Sequence, residues 1–161
     1  MIAVLQRVNR AAVEVEGRVV GEIGRGLLIL LGVCKDDTSE DREVLVKKIA
    51  ACRIFTDEND KMNLSLKDIG GEALVVSNFT LCADYKHGNR PSYFEAAAPD
   101  VAQPSYLTFC DMLGAALSRP VAKGEFGAHM KINMECNGPV TIVMDSRLLK
   151  KGKGEKHEAA H

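Results

Sequence analysis

The sequence predicts a single α/β domain with largely antiparallel β-sheets and two main helices. Three observations carry that reading. Most apolar stretches are short, and either alternate with polar residues or run unbroken as a buried strand does. Helical spacing appears in two places, after Asp36-Asp37-Thr38-Ser39 and around Tyr106. The 161 residues, 46% hydrophobic and 27% charged, suit one substantial core, and no repeat or interdomain linker divides them.

Taken in order, Ile2-Ala3-Val4-Leu5-Gln6-Arg7-Val8 reads as a strand. Ala11-Ala12-Val13-Glu14-Val15-Glu16 alternates as a half-buried strand should. A turn at Gly17-Arg18 and the return Val19-Val20-Gly21-Glu22-Ile23 make a β-hairpin. Residues 27–33 form the longest apolar run and predict a strand buried on both faces. Asp36-Asp37-Thr38-Ser39 starts a helix with Glu40 and Asp41 in its first turn, where the dipole favours acids. Leu45, Ile49 and Cys52 form its apolar stripe.

Short strands follow at 53–55 and 62–66, and Gly70-Gly71-Glu72 leads into a buried strand at 73–76. Residues 82–92 carry the Gly, Asn and Pro of a loop, with Lys86, His87 and Arg90 as a local basic concentration. A helical turn at 93–98 precedes a helix with Tyr106, Cys110, Leu113 and Leu117 on one stripe, starting near Pro104 or bending there. Three more strands are read at 121–126, 130–136 and 140–145. In the second, Met130, Ile132, Met134 and Cys136 alternate with polar residues, so one face is wet or meets a partner. The domain is placed at 1–146, and 147–161 as a basic, flexible tail.

Composition excludes several classes. A formal net charge of −1 gives no global case for nucleic-acid binding. Trp is absent and aromatics are 5%, which argues against an exposed platform for stacking bases. No apolar run spans a membrane, no signal-peptide core follows Met1, and the protein is placed in the cytoplasm. Cysteines 34, 52, 82, 110 and 136 form no close pair in sequence, so they read as reduced, mostly buried thiols, neither a zinc ribbon nor a redox pair. His157-Glu158-Ala159-Ala160-His161 matches the zinc-protease string but leaves no chain for a third ligand. No triad, phosphate-binding Gly-rich loop or metal-ligand cluster stands out, and His129 reads as structural. No cofactor or metal is assigned.

Two polar clusters remain, each adjoining a strand. Ser77-Asn78-Phe79-Thr80 ends the strand at 73–76, and Asn137-Gly138-Pro139-Val140-Thr141 opens the last one. Polar groups at buried strand ends need partners or a ligand. Backbone N–H groups near Phe79-Thr80 suit an ester oxyanion. Gly138-Pro139 is a turn by default. It also offers rigid carbonyls that accept from an ammonium group or exclude a side chain.

In order and spacing, Met1-Ile2-Ala3-Val4-Leu5-Gln6-Arg7-Val8, Gly70-Gly71-Glu72, Val75-Val76-Ser77-Asn78-Phe79-Thr80-Leu81, Arg90-Pro91-Ser92, Gly124-Glu125-Phe126-Gly127-Ala128 and Asn137-Gly138-Pro139-Val140-Thr141 together resemble the D-aminoacyl-tRNA deacylases. The resemblance implies the deacylase-like fold, a homodimer, and hydrolysis of the ester joining a D-amino acid, or glycine mischarged on alanine tRNA, to the terminal adenosine of tRNA. It implies that Ser77, Asn78, Phe79 and Thr80 are the active-site motif. It also implies that Gly138-Pro139 is a cis-peptide that enters the other subunit's pocket and rejects L-amino acids. Arg7 matches an arginine that holds that peptide, with Asn137 and Thr141 flanking it. Asn78 stands where the family usually has Gln.

A site without His or Asp fits this chemistry, because an aminoacyl ester is already activated and the adjacent ribose hydroxyl assists. The protein then has to position the ester, offer N–H donors and admit water. Steric rejection by backbone is blind to side-chain identity, which predicts a broad D-substrate range. Two alternatives stand beside this reading: an editing deacylase with relaxed chirality, and a non-catalytic tRNA-binding module using Lys86, Arg90 and the basic tail.

Overall fold

The computed structural model describes residues 1–150. Its centre is a six-stranded sheet. β1 (Ile2–Val15), β2 (Arg18–Ile23) and β3 (Gly26–Gly32) open the chain, followed by α1 (Ser39–Ala51). A small ribbon, β4 (Phe55–Thr56) with β5 (Met62–Leu64), precedes β6 (Glu72–Ser77). Then come α2 (Pro99–Leu117), β7 (Ala122–Lys123) and β8 (Lys131–Asp145). β1 pairs antiparallel with β2, β3 and β8, whereas β3, β6 and β7 run parallel. The sheet is therefore mostly antiparallel, with a parallel edge built by the crossovers through α1 and α2.

The unbroken apolar runs in β3 and β6 follow from two cores. Leu27, Ile29 and Leu31 of β3 and Ala73 and Val75 of β6 face the cluster that holds Leu45 and Ile49 of α1 and Tyr106, Phe109 and Leu113 of α2. Leu28, Leu74 and Val76 face a second cluster with Val8, Ala11, Val13 and Ile23. β1 serves both. Ala3 and Leu5 pack toward the helices, then the β1–β8 register shifts between Gln6 and Val8 and again before Arg10, and Val8, Ala11 and Val13 turn to the second cluster. A bulge of this kind re-aims side chains without ending the strand. Two strands read from sequence at 2–8 and 11–16 are thus one bent strand.

Other expectations are corrected in detail. The hairpin turns at Glu16-Gly17, both at positive φ, as a two-residue turn with this twist requires. Residues 93–98 begin with one hydrogen-bonded turn, Ala96 N–H donating to the Tyr93 carbonyl at 3.1 Å, but form no helix. They run beside 33–35, with Lys35 N–H donating to the Glu95 carbonyl and Ala97 N–H to the Val33 carbonyl. α2 starts at Pro99, which suits a first helical position, and Pro104 is carried inside the helix on its exposed side. The strands read at 130–136 and 140–145 are one, β8, and most of its residues are exposed on both faces.

α1 begins as expected, with Thr38 at its N-cap and Asp41 accepting from the Thr38 amide at 2.8 Å. Asp41 also accepts from the buried Ser146 hydroxyl (2.6 Å), and pairs with Lys150 at 3.0 Å. Burial raises its carboxyl pKa, but the bonds from Ser146, Thr38 and Lys150 outweigh that and hold it well below the usual carboxylate range. Within the segment read as a tail, residues 147–150 thus make contacts with the domain: Lys150 with Asp41, and Arg147 with Asp145. The remaining tail residues, with the His157-Glu158-Ala159-Ala160-His161 string, lie outside the described residues.

Candidate active site

β6 delivers the first polar cluster. Its last residue, Ser77, pairs with Leu31 of β3, and Asn78 N–H donates to the Leu31 carbonyl at 2.8 Å. The parallel ladder therefore ends on Asn78, which caps a 3-10 turn over Phe79–Cys82. The Asn78 side-chain oxygen accepts from Thr80 Oγ1 at 2.5 Å and from Thr80 N–H at 3.3 Å. This local cap is what Asn does well at a turn. It leaves Phe79 N–H without an acceptor among the described residues. Of the two backbone donors expected at Phe79-Thr80, one is already engaged.

Ser77, Asn78 and Phe79 line a cavity of about 740 Å³, whereas Thr80 does not. Its apolar floor comes from Leu30, Val76, Met130 and Ile132, and its walls from 96–99 and 126–129. Phe79, 55% exposed, meets the Tyr93 ring edge-to-face at 5.2 Å. Tyr85 and Phe94 are also exposed, and Lys35 Nζ lies 3.9 Å from the Phe94 ring centre. Four of the eight aromatic side chains thus stand exposed within 79–94. The low aromatic content was a poor guide: few rings can still be concentrated at one place, and an exposed aromatic surface is present here.

The second cluster is elsewhere. Between Gln6↔Thr141 and Val8↔Cys136, β1 has one residue, Arg7, and β8 has four, Asn137-Gly138-Pro139-Val140. The excess leaves the sheet as an exposed protrusion. Its Gly138-Pro139 peptide is cis, and Gly138 has φ +130°. Arg7 braces it: Nε donates to the Asn137 carbonyl (3.0 Å) and one terminal nitrogen to Asn137 Oδ1 (3.2 Å). The other terminal nitrogen is anchored on the Ile54 carbonyl at 2.9 Å. Thr141 Oγ1 donates to Gln6 at 2.8 Å, and Asn137 Nδ2 to Asn9 at 2.9 Å. Arg7, Asn137, Gly138, Pro139 and Thr141 are thus brought together, but none of them lines the cavity holding Ser77, Asn78 and Phe79.

A family model described as D-Tyr-tRNA(Tyr) deacylase matches residues 4–145. The chain belongs to that family. Among curated relatives, the D-aminoacyl-tRNA deacylase of Persephonella marina, a hydrolase by name, is 56% identical over 149 residues, covering 92% of this chain and 100% of that one. A solved structure named c-Myc DNA unwinding element binding protein is 38% identical, with a TM-score of 0.86 over 90% of this chain and 98% of that one. A probable eukaryotic D-amino acid tRNA deacylase, at 21% identity and TM-score 0.78, covers 89% of this chain and 98% of that one and shares the fold.

Against the deacylase family's motifs, the sequence reading missed the cavity walls. Gly124-Glu125-Phe126-Gly127-Ala128 and Arg90-Pro91-Ser92 carried the resemblance without a role. In the structure Phe126, Gly127 and Ala128 line the cavity, and His129, read as structural, lines it too and is exposed. Nothing in local spacing reveals this, because the segment reaches the cavity through β7, whose pairing with β6 is nonlocal. No group of three or more His, Cys, Asp or Glu side chains converges among the described residues. No helix among them is long and apolar enough to cross a membrane.

Proposed function

We propose that this chain hydrolyses the ester of D-aminoacyl-tRNA, and of glycine mischarged on alanine tRNA, and spares L-aminoacyl-tRNA, acting in the cytoplasm as a homodimer. The observation that carries the reading is the Phe79 N–H, without an acceptor among the described residues, on a residue that lines an apolar-floored cavity together with Ser77 and Asn78. A preorganised amide donor stabilises the oxyanion that forms as water adds to the ester carbonyl. Asn78 holds the Thr80 hydroxyl proton, so the Thr80 oxygen faces outward as an acceptor only, which suits a positioning role.

Chirality selection is assigned to Gly138-Pro139 of a second copy. Its support is spatial: the protrusion is braced by Arg7 but does not reach its own chain's cavity. β8 pairs only with β1 among the described residues, and leaves Met134 46% and Val143 70% exposed. A long, open, partly apolar edge strand is a surface that pairing with another chain would protect. A carbonyl wall where an L-amino acid carries its side chain admits glycine and D-residues and excludes the rest.

The name of one structural relative raises a nucleic-acid-binding reading without turnover. The deciding experiment is hydrolysis of D- and L-tyrosyl-tRNA side by side. Rapid release of D-tyrosine with L-tyrosyl-tRNA left at its background rate supports the proposal. Background rates for both, with salt-sensitive tRNA binding, favour the binding module. Rapid release of both favours an editing enzyme of relaxed chirality.

A further inference from the structure

Cys34 and Cys82 are far apart in sequence, yet their sulfurs lie 2.6 Å apart. Cys34 follows β3, and its backbone N–H is held by Asp37 at 2.6 Å. Cys82 ends the 3-10 turn whose first residues are Phe79 and Thr80. That turn is seated on the end of β3 without slack. A Cβ at Gly32 would lie 2.9 Å from Leu81 Cβ, 3.1 Å from the Asn78 carbonyl and 3.3 Å from Cys82 Sγ. Cys34 is half-buried and open to a small reagent, whereas Cys82 is 6% exposed. The hydrogen bond from Cys82 pushes the Cys34 thiol down, against burial and the nearby Asp37 carboxylate, with help from the N-terminal ammonium and Arg147. The same bond, then burial, pushes the Cys82 thiol up. One sulfur is a nucleophile within reach of solvent and the other a shielded thiol in contact with it.

We propose that Cys34 and Cys82 form a peroxide-responsive dithiol in which Cys34 is oxidised first, Cys82 resolves it, and the disulfide staples the site-bearing turn to β3. In the first step Cys34 thiolate attacks one oxygen of hydrogen peroxide. The S–O bond forms, the O–O bond breaks, and hydroxide leaves and takes a proton as water. In the second step Cys82 loses its proton and its sulfur attacks the Cys34 sulfenic sulfur. The S–S bond forms, the S–O bond breaks, and hydroxide departs with that proton as water. Two thiols are oxidised to one disulfide, one peroxide is reduced, and two waters result.

The consequence is protective. The two sulfurs are already in contact, so closing a disulfide between them leaves the turn in its place and the cavity with its wall. Without the Cys82 thiol, Cys34 proceeds to the sulfinic acid, whose added oxygens press on the turn at position 82, which Cys34 contacts.

The test treats the full chain and the C34S and C82S variants with hydrogen peroxide, followed by intact-mass and peptide analysis and by D-aminoacyl-tRNA hydrolysis. The mass readout stands alone, and the activity readout rests on the function proposed above, so failure of either is distinguishable. In the unmutated chain the expected product is a peptide pair linked through Cys34 and Cys82, about 2 Da lighter, reversed by dithiothreitol, with hydrolysis retained. C82S gains about 32 Da on the Cys34 peptide and loses hydrolysis irreversibly, whereas C34S keeps its Cys82 thiol. Absence of the linked peptide, a sulfinic acid at Cys34 of the unmutated chain, or equal oxidation of Cys82 in C34S overturns the proposal.

Discussion

Replacing Arg7 by Lys is expected to separate the chirality selection proposed for Gly138-Pro139 from hydrolysis. Lys keeps the charge but exchanges a planar fork for a single ammonium. Arg7 spans three groups at once: the Asn137 carbonyl at 3.0 Å, Asn137 Oδ1 at 3.2 Å and the Ile54 carbonyl at 2.9 Å. One ammonium cannot hold both Asn137 contacts while keeping Ile54. Hydrogen bonds to charged groups contribute about 1.5–3 kcal/mol when shielded, but the Asn137 contacts are exposed, so about 0.5–1 kcal/mol each is the appropriate scale. Their loss favours displaced forms of the protrusion by about 1–2 kcal/mol, or about 5- to 30-fold. R7K should therefore hydrolyse L-tyrosyl-tRNA about 5- to 30-fold faster than the unmutated protein, with its D-tyrosyl-tRNA rate within about twofold. The assay is single-turnover hydrolysis of both substrates, with thermal melts to show that the fold is kept. Equal changes in the D and L rates, or an L rate still at background, would refute the assignment of Arg7 and Gly138-Pro139 to selection.

N78A removes the acceptor that fixes Thr80 Oγ1, and is expected to lower kcat about tenfold, the worth of one well-placed hydrogen bond. N78Q retains most of the activity in the same steady-state assay, and an N78A indistinguishable from the unmutated protein shows that the clamp does nothing. D41N leaves Ser146 and Lys150 short of their partner and should cost about 3 kcal/mol in urea unfolding at pH 7. Because the folded carboxyl titrates below its unfolded value of about 4, that stabilisation is complete above this pH. It fades as the pH falls through the folded value, so the gap between the two proteins narrows in acid and a constant gap contradicts the network. G26A places a Cβ 1.8 Å from the Glu72 carbonyl across the β3–β6 pairing, where only backbone can yield. A loss of about 3 kcal/mol or more, or failure to fold, is expected by denaturant titration, beyond ordinary overpacking.

Local patterns in the chain were enough for much of this architecture. The unbroken runs at 27–33 and 73–76 announced strands covered on both faces, because each alternate residue has its own core to enter. Thr38 and Asp41 marked the start of α1 because capping is a matter of neighbours in sequence. The stripe of Tyr106, Cys110, Leu113 and Leu117 named the buried face of α2 for the same reason. Both polar clusters were visible as small polar residues at strand ends. The tertiary structure alone decided whatever depends on residues distant along the chain. It joined two readings into one bent β1 through a bulge set by pairing with β8. It brought 96–99 and 126–129 to the cavity wall, and left Arg7 and Asn137 braced at a separate protrusion. It also made neighbours of Cys34 and Cys82, which spacing had ruled out as a pair. Periodicity and capping report a residue's immediate surroundings. Which strand ends meet is set by sheet order, and that order is settled by burying both faces of β3 and β6 at once.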